Sequence, residues 1–343
     1  MHRNSISHDP DRSALRRAFL KDQGYGDWQV LQLGSDASFR RYFRLVRGEE
    51  SLILMDAPPP EENAGRYQLL AEHLKECGLR APTIFARDIE QGFLILEDFG
   101  DRTFKRLLDE GEDPKMLYSM AIDTLIQLHR SDRALKVKVA PYSREVLDGE
   151  ARIFIEWYVS AGSGGALAKT AVERFFEAWD AVWTSLPPSR PALVLGDYHV
   201  DNLMQIGNGI GINHCGVLDF QDATVGPQCF DVMSLLEDAR REVSRELTGS
   251  MIDRYKKTMD DGLDQFFDQW YSAMAVHRHM RVLGVFVRLW RRDRKPGYLA
   301  HIPHVVGLLE SHRRVPHLDS IFDWLDEYVP DLRQAANLES CTK

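Results

Sequence analysis

Polar and apolar residues alternate over the first hundred positions, and beyond them the apolar ones recur every three or four. "WQVLQL" (28–33), "FRRYFRLV" (39–46) and "SLILMD" (51–56) are rich in β-branched and aromatic residues, and the turn-like "GSDAS" and "RGEE" separate them. That pattern predicts three strands. "EENAGRYQLLAEHLKECG" (61–78) spaces Tyr67, Leu70 and Leu74 as one face of a helix that ends at Gly78. After "APTIFARD", the run "GFLILEDF" (92–99) reads as another strand. Helices are then predicted near 114–131, 144–160, 171–186, 229–247, 250–260, 263–293, 303–313 and 318–328, with two short strands within 193–219. The expected class is α+β. Residues 1–98 form a β-rich amino-terminal lobe, residues 99–343 a mostly helical carboxy-terminal lobe, and a hinge is expected at Glu97–Asp101.

Composition narrows the function. Of the 343 residues, 44% are hydrophobic and 28% charged, which excludes wholesale disorder. A formal net charge of −9 argues against nucleic acid as a partner. No apolar run approaches the roughly 18 residues of a membrane helix, and the amino terminus lacks the apolar core of a secretory signal. Cys77, Cys215, Cys229 and Cys341 are scattered without a C-x-x-C pair, which suits free thiols in a reducing cytosol. A cytoplasmic protein is expected; its oligomeric state is not legible.

Two stretches carry the candidate chemistry, "VLGDYHVDNLM" (194–204) and "GVLDFQDATVG" (216–226). Asn202 offers an amide oxygen and Asp219 a carboxylate, hard donors of the kind Mg²⁺ takes. "LMQI" and "CGVL" read as a hairpin closed by "GNGIGINH", which returns Asp219 to Asn202 at its open end. Asp197, five residues earlier, is placed to accept a proton from a substrate hydroxyl. A zinc protease or serine hydrolase finds no support, because H-E-x-x-H and G-x-S-x-G are absent. Asp201 and Asp222 read as capping or solvated residues.

D-x-H-x-x-N followed by two strands and "VLDF" resembles the catalytic and metal loops of the aminoglycoside phosphotransferase/choline kinase family, whose fold is bilobal and protein-kinase-like. The resemblance implies ATP and Mg²⁺, with Asp197 as catalytic base and Asn202 and Asp219 as metal ligands. It also implies that His199 braces the loop and that Asp231, in "GPQCFDVMSLL", steadies its backbone. "GSDASFRRYFRL", "LILMDAPPPEE", "GFLILEDFGDRT" and "VLGVFVRLWRRDRKPGYLAHIPHV" further resemble bacterial anomeric amino-sugar kinases, which act on N-acetylmuramate and N-acetylglucosamine. An aminoglycoside, choline or another metabolite alcohol is the alternative acceptor. A nucleotide-binding pseudokinase is the alternative of another class.

The resemblance places the nucleotide phosphates at the small-residue turn Gly34, Ser35, Ala37, Ser38 and the adenine at the linker that includes Glu97 and Phe99. One departure stands out. Kinases hold the α/β-phosphates with a strand lysine, yet Met55 or a neighbour takes that place, and no lysine occurs between Lys21 and Lys75. Arg40, Arg41 or Arg44 is expected to supply the charge, Arg41 pointing opposite to the other two. Glu72 is a candidate for the glutamate that pairs with it. On the acceptor side, Glu150, Trp157 and Tyr158 either meet a sugar or pack in the core. Arg278, Arg281, Arg288, Arg292 and Lys295 share about 100° of a helical wheel. That stripe is read either as a solvated face or, through Arg281 and Arg288, as a site for an anion such as a muramate carboxylate.

Overall fold

A computed structural model describes residues 10–34, 39–162, 166–259, 264–330 and 332. The chain divides into two compact units, Met1–Asp113 with Val200–Gln221, and Pro114–His199 with Asp222–Lys343. The α+β class expected from the sequence is the class observed.

The first unit is built on a five-stranded antiparallel sheet in the order β1-β2-β3-β5-β4. Its elements are α1 (Pro10–Asp22), β1 (Gln29–Gln32), β2 (Arg41–Arg47), β3 (Glu50–Asp56), α2 (Ala64–Glu76), β4 (Ile84–Asp88), β5 (Phe93–Glu97) and α3 (Phe104–Asp109). Alternation along β2 and β3 buries Phe43, Leu45 and Leu54 with Phe93 and Ile95 against Phe19 and Leu20 of α1. Asn63 caps α2 by accepting from the amide of Arg66.

The sequence reading left α1, β4 and α3 unassigned. The first of these is held by charge as well as by apolar contact. Arg12 Nε donates to Asp56 Oδ1 at 2.7 Å, and Arg16 Nη1 lies 3.6 Å from Oδ2 of the same fully buried carboxylate. The two guanidiniums also sit over the Phe93 and Phe43 rings, 4.1 and 4.0 Å from the centroids.

The second unit is mostly helical. It contains α4 (Pro114–Arg130), α5 (Arg144–Ile153), a π-helical turn Phe154–Val159 leading into α6 (Ser160–Gly162), and α7 (Lys169–Ser185). Strand β6 (Pro191–Val194) follows; the chain then passes to the first unit for β7 (Leu203–Gln205) and β8 (Cys215–Val217). It returns with β9 (Thr224–Pro227), α8 (Phe230–Leu236), α9 (Arg245–Met259), α10 (Asp264–Asp293), α11 (Ile302–Ser311) and α12 (Asp319–Tyr328). Strand β6 pairs with β9. The core packs α5, α7, α10, α11 and α12 around Phe154, Phe175, Trp179 and Met280. Helix α10 packs tightly against the end of α5 at Gly284, where an added Cβ would lie 2.4 Å from the Ile153 carbonyl oxygen.

Two predicted helices are corrected. The helix expected over 229–247 stops at Leu236, because Glu237 leaves helical geometry and the Asp238 side chain accepts from the Arg240 amide at 2.8 Å. The helix expected over 144–160 ends as α5 at Ile153 and continues as the π-turn. Among the described residues no helix is long and apolar enough to cross a membrane.

Removing the Asp56 carboxylate leaves two part-buried guanidiniums without their anion. Asp56→Ala is expected to cost about 3 kcal/mol in urea unfolding. A loss under about 1 kcal/mol would mean that Phe19 and its apolar neighbours alone hold α1.

Candidate functional site

The first unit carries the oxygen donors. Strands β7 and β8 form the expected hairpin in the register Leu203↔Val217, Met204↔Gly216, Gln205↔Cys215. The Leu218 amide extends it, donating to the Asn202 carbonyl at 2.9 Å, so Asn202 and Asp219 flank the open end. Asp219 has φ +56°, a left-handed conformation that Asp tolerates better than most residues. Gly216 is required by packing, since a Cβ there would meet the Phe99 ring at 2.7 Å.

Of the three arginines, Arg40 approaches Asp219. Its Nη2 lies 3.1 Å from Asp219 Oδ1, the same oxygen that accepts from Gln221 Nε2 at 3.0 Å. Arg40 Nε lies 3.6 Å from Glu62 Oε2. Arg44 is held elsewhere, by Asp98 at 2.6 Å and Asp101 at 2.8 Å. The charge of Arg41 is felt by Arg16 of α1, on the opposite side of β2. Glu72 is corrected: it sits exposed 3.9 Å from Arg87, and Glu62 is the glutamate beside the arginine. Glu62 was missed because it precedes α2, outside the helical periodicity. Met55 is fully buried and stands opposite Tyr42 and Leu94.

Gly34 lies two residues beyond the end of β1, while Ser35 and Ser38 lie outside the described residues. The Glu97 carboxylate accepts from Arg80 at 2.5 and 3.1 Å and from the Thr83 amide at 3.2 Å. Desolvation opposes its charge, but these hydrogen bonds outweigh it and hold the carboxyl below its ordinary range. Phe99 lies between Arg80, whose guanidinium carbon is 5.2 Å from the ring centroid, and Gly216.

The second unit carries Asp197. Beyond β6, Gly196 turns with φ +88°, leaving two successive amides without strand partners. Asp231, fully buried in the first turn of α8, receives both: Leu195 N to Oδ2 at 2.7 Å and Gly196 N to Oδ1 at 2.9 Å. Burial pushes the Asp231 carboxyl up to about 7, although the two amides pull the other way. The Tyr198 hydroxyl donates to the Ala121 carbonyl at 2.8 Å, and His199 Nε2 lies 3.4 Å from Arg240 Nη1. Between these anchors, Asp197 is exposed.

The arginine stripe of α10 is not a solvated face at its start. Arg278 is 7% exposed; burial lowers its pKa, and Asp197 and then Asp238 are the opposite charges that support it. Arg281 Nε lies 3.4 Å from Glu150 Oε1, and the Tyr142 hydroxyl donates to Glu150 Oε2. Arg288 is driven down by burial and then by Arg292 and Arg281. Trp157 packs partly buried against the helical core. Tyr158 belongs to that core, its hydroxyl donating to the Leu332 carbonyl at 2.6 Å. Arg278 is the residue that the helical wheel could not distinguish from its neighbours, because spacing does not report burial.

Residues 29–266 match the phosphotransferase enzyme family. The chain belongs to that family. This phosphotransferase is 33% identical over 358 residues to the N-acetylmuramate/N-acetylglucosamine kinase of Caulobacter vibrioides, covering 93% of this chain and 97% of that one. It is 36% identical over 309 residues to the kinase of the same description from Pseudomonas aeruginosa, covering 87% and 88%. Among solved structures it resembles the ADP-bound aminoglycoside phosphotransferase APH(2'')-Ib, with a TM-score of 0.57 and 16% identity over 89% of this chain and 98% of that one. That likeness shows the protein-kinase-like fold.

The Asp231 carboxyl, raised from its ordinary 3.8 to about 7, makes the loop sensitive to pH. A raised folded pKa gives stability that is fully present below the unfolded value and is lost as pH rises through the folded one. Relative to Asp231→Asn, the wild type is therefore expected to lose on the order of 2 kcal/mol between pH 5 and pH 8. Parallel stability curves for the two proteins across that range would refute the titration.

Proposed function

We propose that this phosphotransferase uses ATP to phosphorylate the anomeric hydroxyl of N-acetylmuramate or N-acetylglucosamine. The observation that carries the substrate class is the identity, over most of the chain, to kinases described as acting on those two sugars. The site residues support the reaction type. Asp197 is proposed to orient the acceptor hydroxyl and take its proton as the sugar oxygen bonds to the γ-phosphorus and ADP leaves. His199 and Asp231 are positioning residues that act on the loop backbone around it.

Asn202 and Asp219 would hold Mg²⁺. They are hard oxygen donors at one end of a hairpin, and Asp219 already draws a guanidinium to its carboxylate, which is the behaviour a cation ligand requires. Mg²⁺, when bound, neutralises charge on the transferring phosphoryl group. Arg40 rather than Arg41 is assigned the phosphate-binding role of the absent strand lysine, since Arg41 belongs to the side of β2 that faces α1. The turn from Gly34 through Ser35 and Ser38 is proposed to cradle the phosphates, and the main chain at Glu97–Phe99 to meet the adenine, because the Glu97 side chain is committed to Arg80. Residues 1–98 would then serve the nucleotide and 99–343 catalysis and the acceptor. Arg281 with Glu150 is proposed to meet the sugar, whereas Trp157 and Arg288 receive no sugar contact in this reading. The buried thiols of Cys77, Cys215 and Cys229 accord with the cytosol, where we place the protein.

ADP release with Mg-ATP across N-acetylmuramate, N-acetylglucosamine, kanamycin and choline tests this reading. Turnover is expected with the two acetylated sugars; ATP binding without turnover on any acceptor would favour a pseudokinase. Asp197→Ala should lower kcat about a thousandfold, and Arg40→Ala should act mainly on the KM for ATP. Arg281→Ala should raise the KM for N-acetylmuramate more than that for N-acetylglucosamine, whereas equal effects would make Arg281 structural.

A further inference from the structure

A second polar cluster lies in the helical unit, on residues that the phosphotransfer reading does not use. Glu237 caps the end of α8, His279 comes from α10, and His312 caps the end of α11. His279 Nε2 is 2.7 Å from Glu237 Oε2, and His312 Nε2 is 3.1 and 3.2 Å from the two carboxylate oxygens. One candidate ligand atom from each side chain falls within 4.8 Å of the other two. Glu237 is 8% exposed and His279 fully buried, so the carboxylate is out of water and hydrogen-bonded to two imidazoles.

We infer that Glu237, His279 and His312 form a structural site for one zinc ion. Two imidazole nitrogens and one carboxylate oxygen make a donor set that suits Zn²⁺ far better than Mg²⁺, which prefers oxygen alone. Four-coordinate zinc with bonds of about 2.1 Å places neighbouring ligand atoms ~3.4 Å apart. His312 already stands close to that spacing, and His279 need retreat only by roughly 0.7 Å. Two further features favour a cation. Both α8 and α11 end at the cluster, so their carbonyl ends supply partial negative charge. Tyr271 of α10 lies beside His312, its ring tilted at 6.5 Å between centroids, and its buried hydroxyl interacts with Glu237, which puts it next to a water in the fourth position.

The ion would pin α8, α10 and α11 at one point. Glu237 is followed by Asp238, and His279 is preceded by Arg278, the two residues whose charges meet beside Asp197. Zinc here would therefore fix the packing of the wall behind the catalytic loop without touching substrate.

The test uses the full chain, stripped with chelator, given one equivalent of ZnCl₂ and dialysed against excess Mg²⁺. We expect about one zinc per chain by mass spectrometry of the metal, an absorption edge fitted by nitrogen and oxygen at about 2.0–2.1 Å, and a higher Tm than the stripped protein. His312→Ala, at the least buried ligand, should weaken zinc binding at least tenfold, and Glu237→Gln likewise. Asp219→Ala should retain the metal, which separates this site from the proposed Mg²⁺ ligands. The inference is overturned if wild-type protein retains no zinc. It is equally overturned if His312→Ala and Glu237→Gln retain zinc unchanged, or if sulfur at about 2.3 Å appears in the first shell. The absorption measurement on wild type decides the matter even if a variant fails to fold.

Discussion

The loop that carries Asp197 stands on one buried carboxylate. A chain leaving a strand through a left-handed glycine presents two amides that no neighbouring strand can satisfy, and buried amides require an acceptor. Asp231 meets both, and it can do so because β9 pairs with β6 and delivers the start of α8 beneath the loop. Desolvation of that carboxyl is the cost, and the two short hydrogen bonds offset only part of it. The division of labour follows. Asp231 and Tyr198 carry the structural load on either side of Asp197, so Asp197 itself can remain exposed.

The same device recurs in both units. Asp56 draws Arg12 and Arg16 from α1, Asp219 draws Arg40 and Gln221, and Glu237 draws two histidines. Asp56 and Glu237 are removed from water and bind donors remote in sequence, while the half-buried Asp219 binds Arg40 from far along the chain and Gln221 from two residues on; removing a partner of either buried carboxylate would leave an uncompensated polar group. Apolar packing sets where the elements lie, and these carboxylates choose among the registers and helix placements that packing alone would tolerate. Their charge state is therefore part of the fold.

The legible parts of the chain are those whose signal is periodic and local. The alternation in "FRRYFRLV" and "SLILMD", the hairpin around "GNGIGINH" and the long apolar repeat of α10 reappear as elements within a few residues of their predicted ends. Helix α1 escaped because its inner face is partly arginine, and a guanidinium over an aromatic ring looks polar in any periodicity count. The break at Glu237 escaped because helix propensity is strong on both sides, and the interruption is rewarded by the tertiary bond of His279 to Glu237 and the local bond of the Arg240 amide to Asp238. At the candidate site, motif residues could be named from spacing, but Glu62 and Arg278 could not: one lies outside any helical repeat, and the other differs from its neighbours only in burial.

The absent strand lysine can be understood in these terms. Its expected place is Met55, whose neighbours across the sheet are Tyr42 and Leu94, and an ammonium there would lose its hydration among buried side chains. The positive charge enters instead one residue before β2, at Arg40. A guanidinium suits that position because its donors are spread over a fixed fork, so Nε can face Glu62 while Nη2 faces Asp219. A lysine offers one compact point charge and would have to choose between the two carboxylates. Moving the cation from mid-strand to strand entrance thus leaves the sheet apolar at Met55, and it keeps a positive charge beside Asp219 in a stretch of 53 residues between Lys21 and Lys75 that holds no lysine.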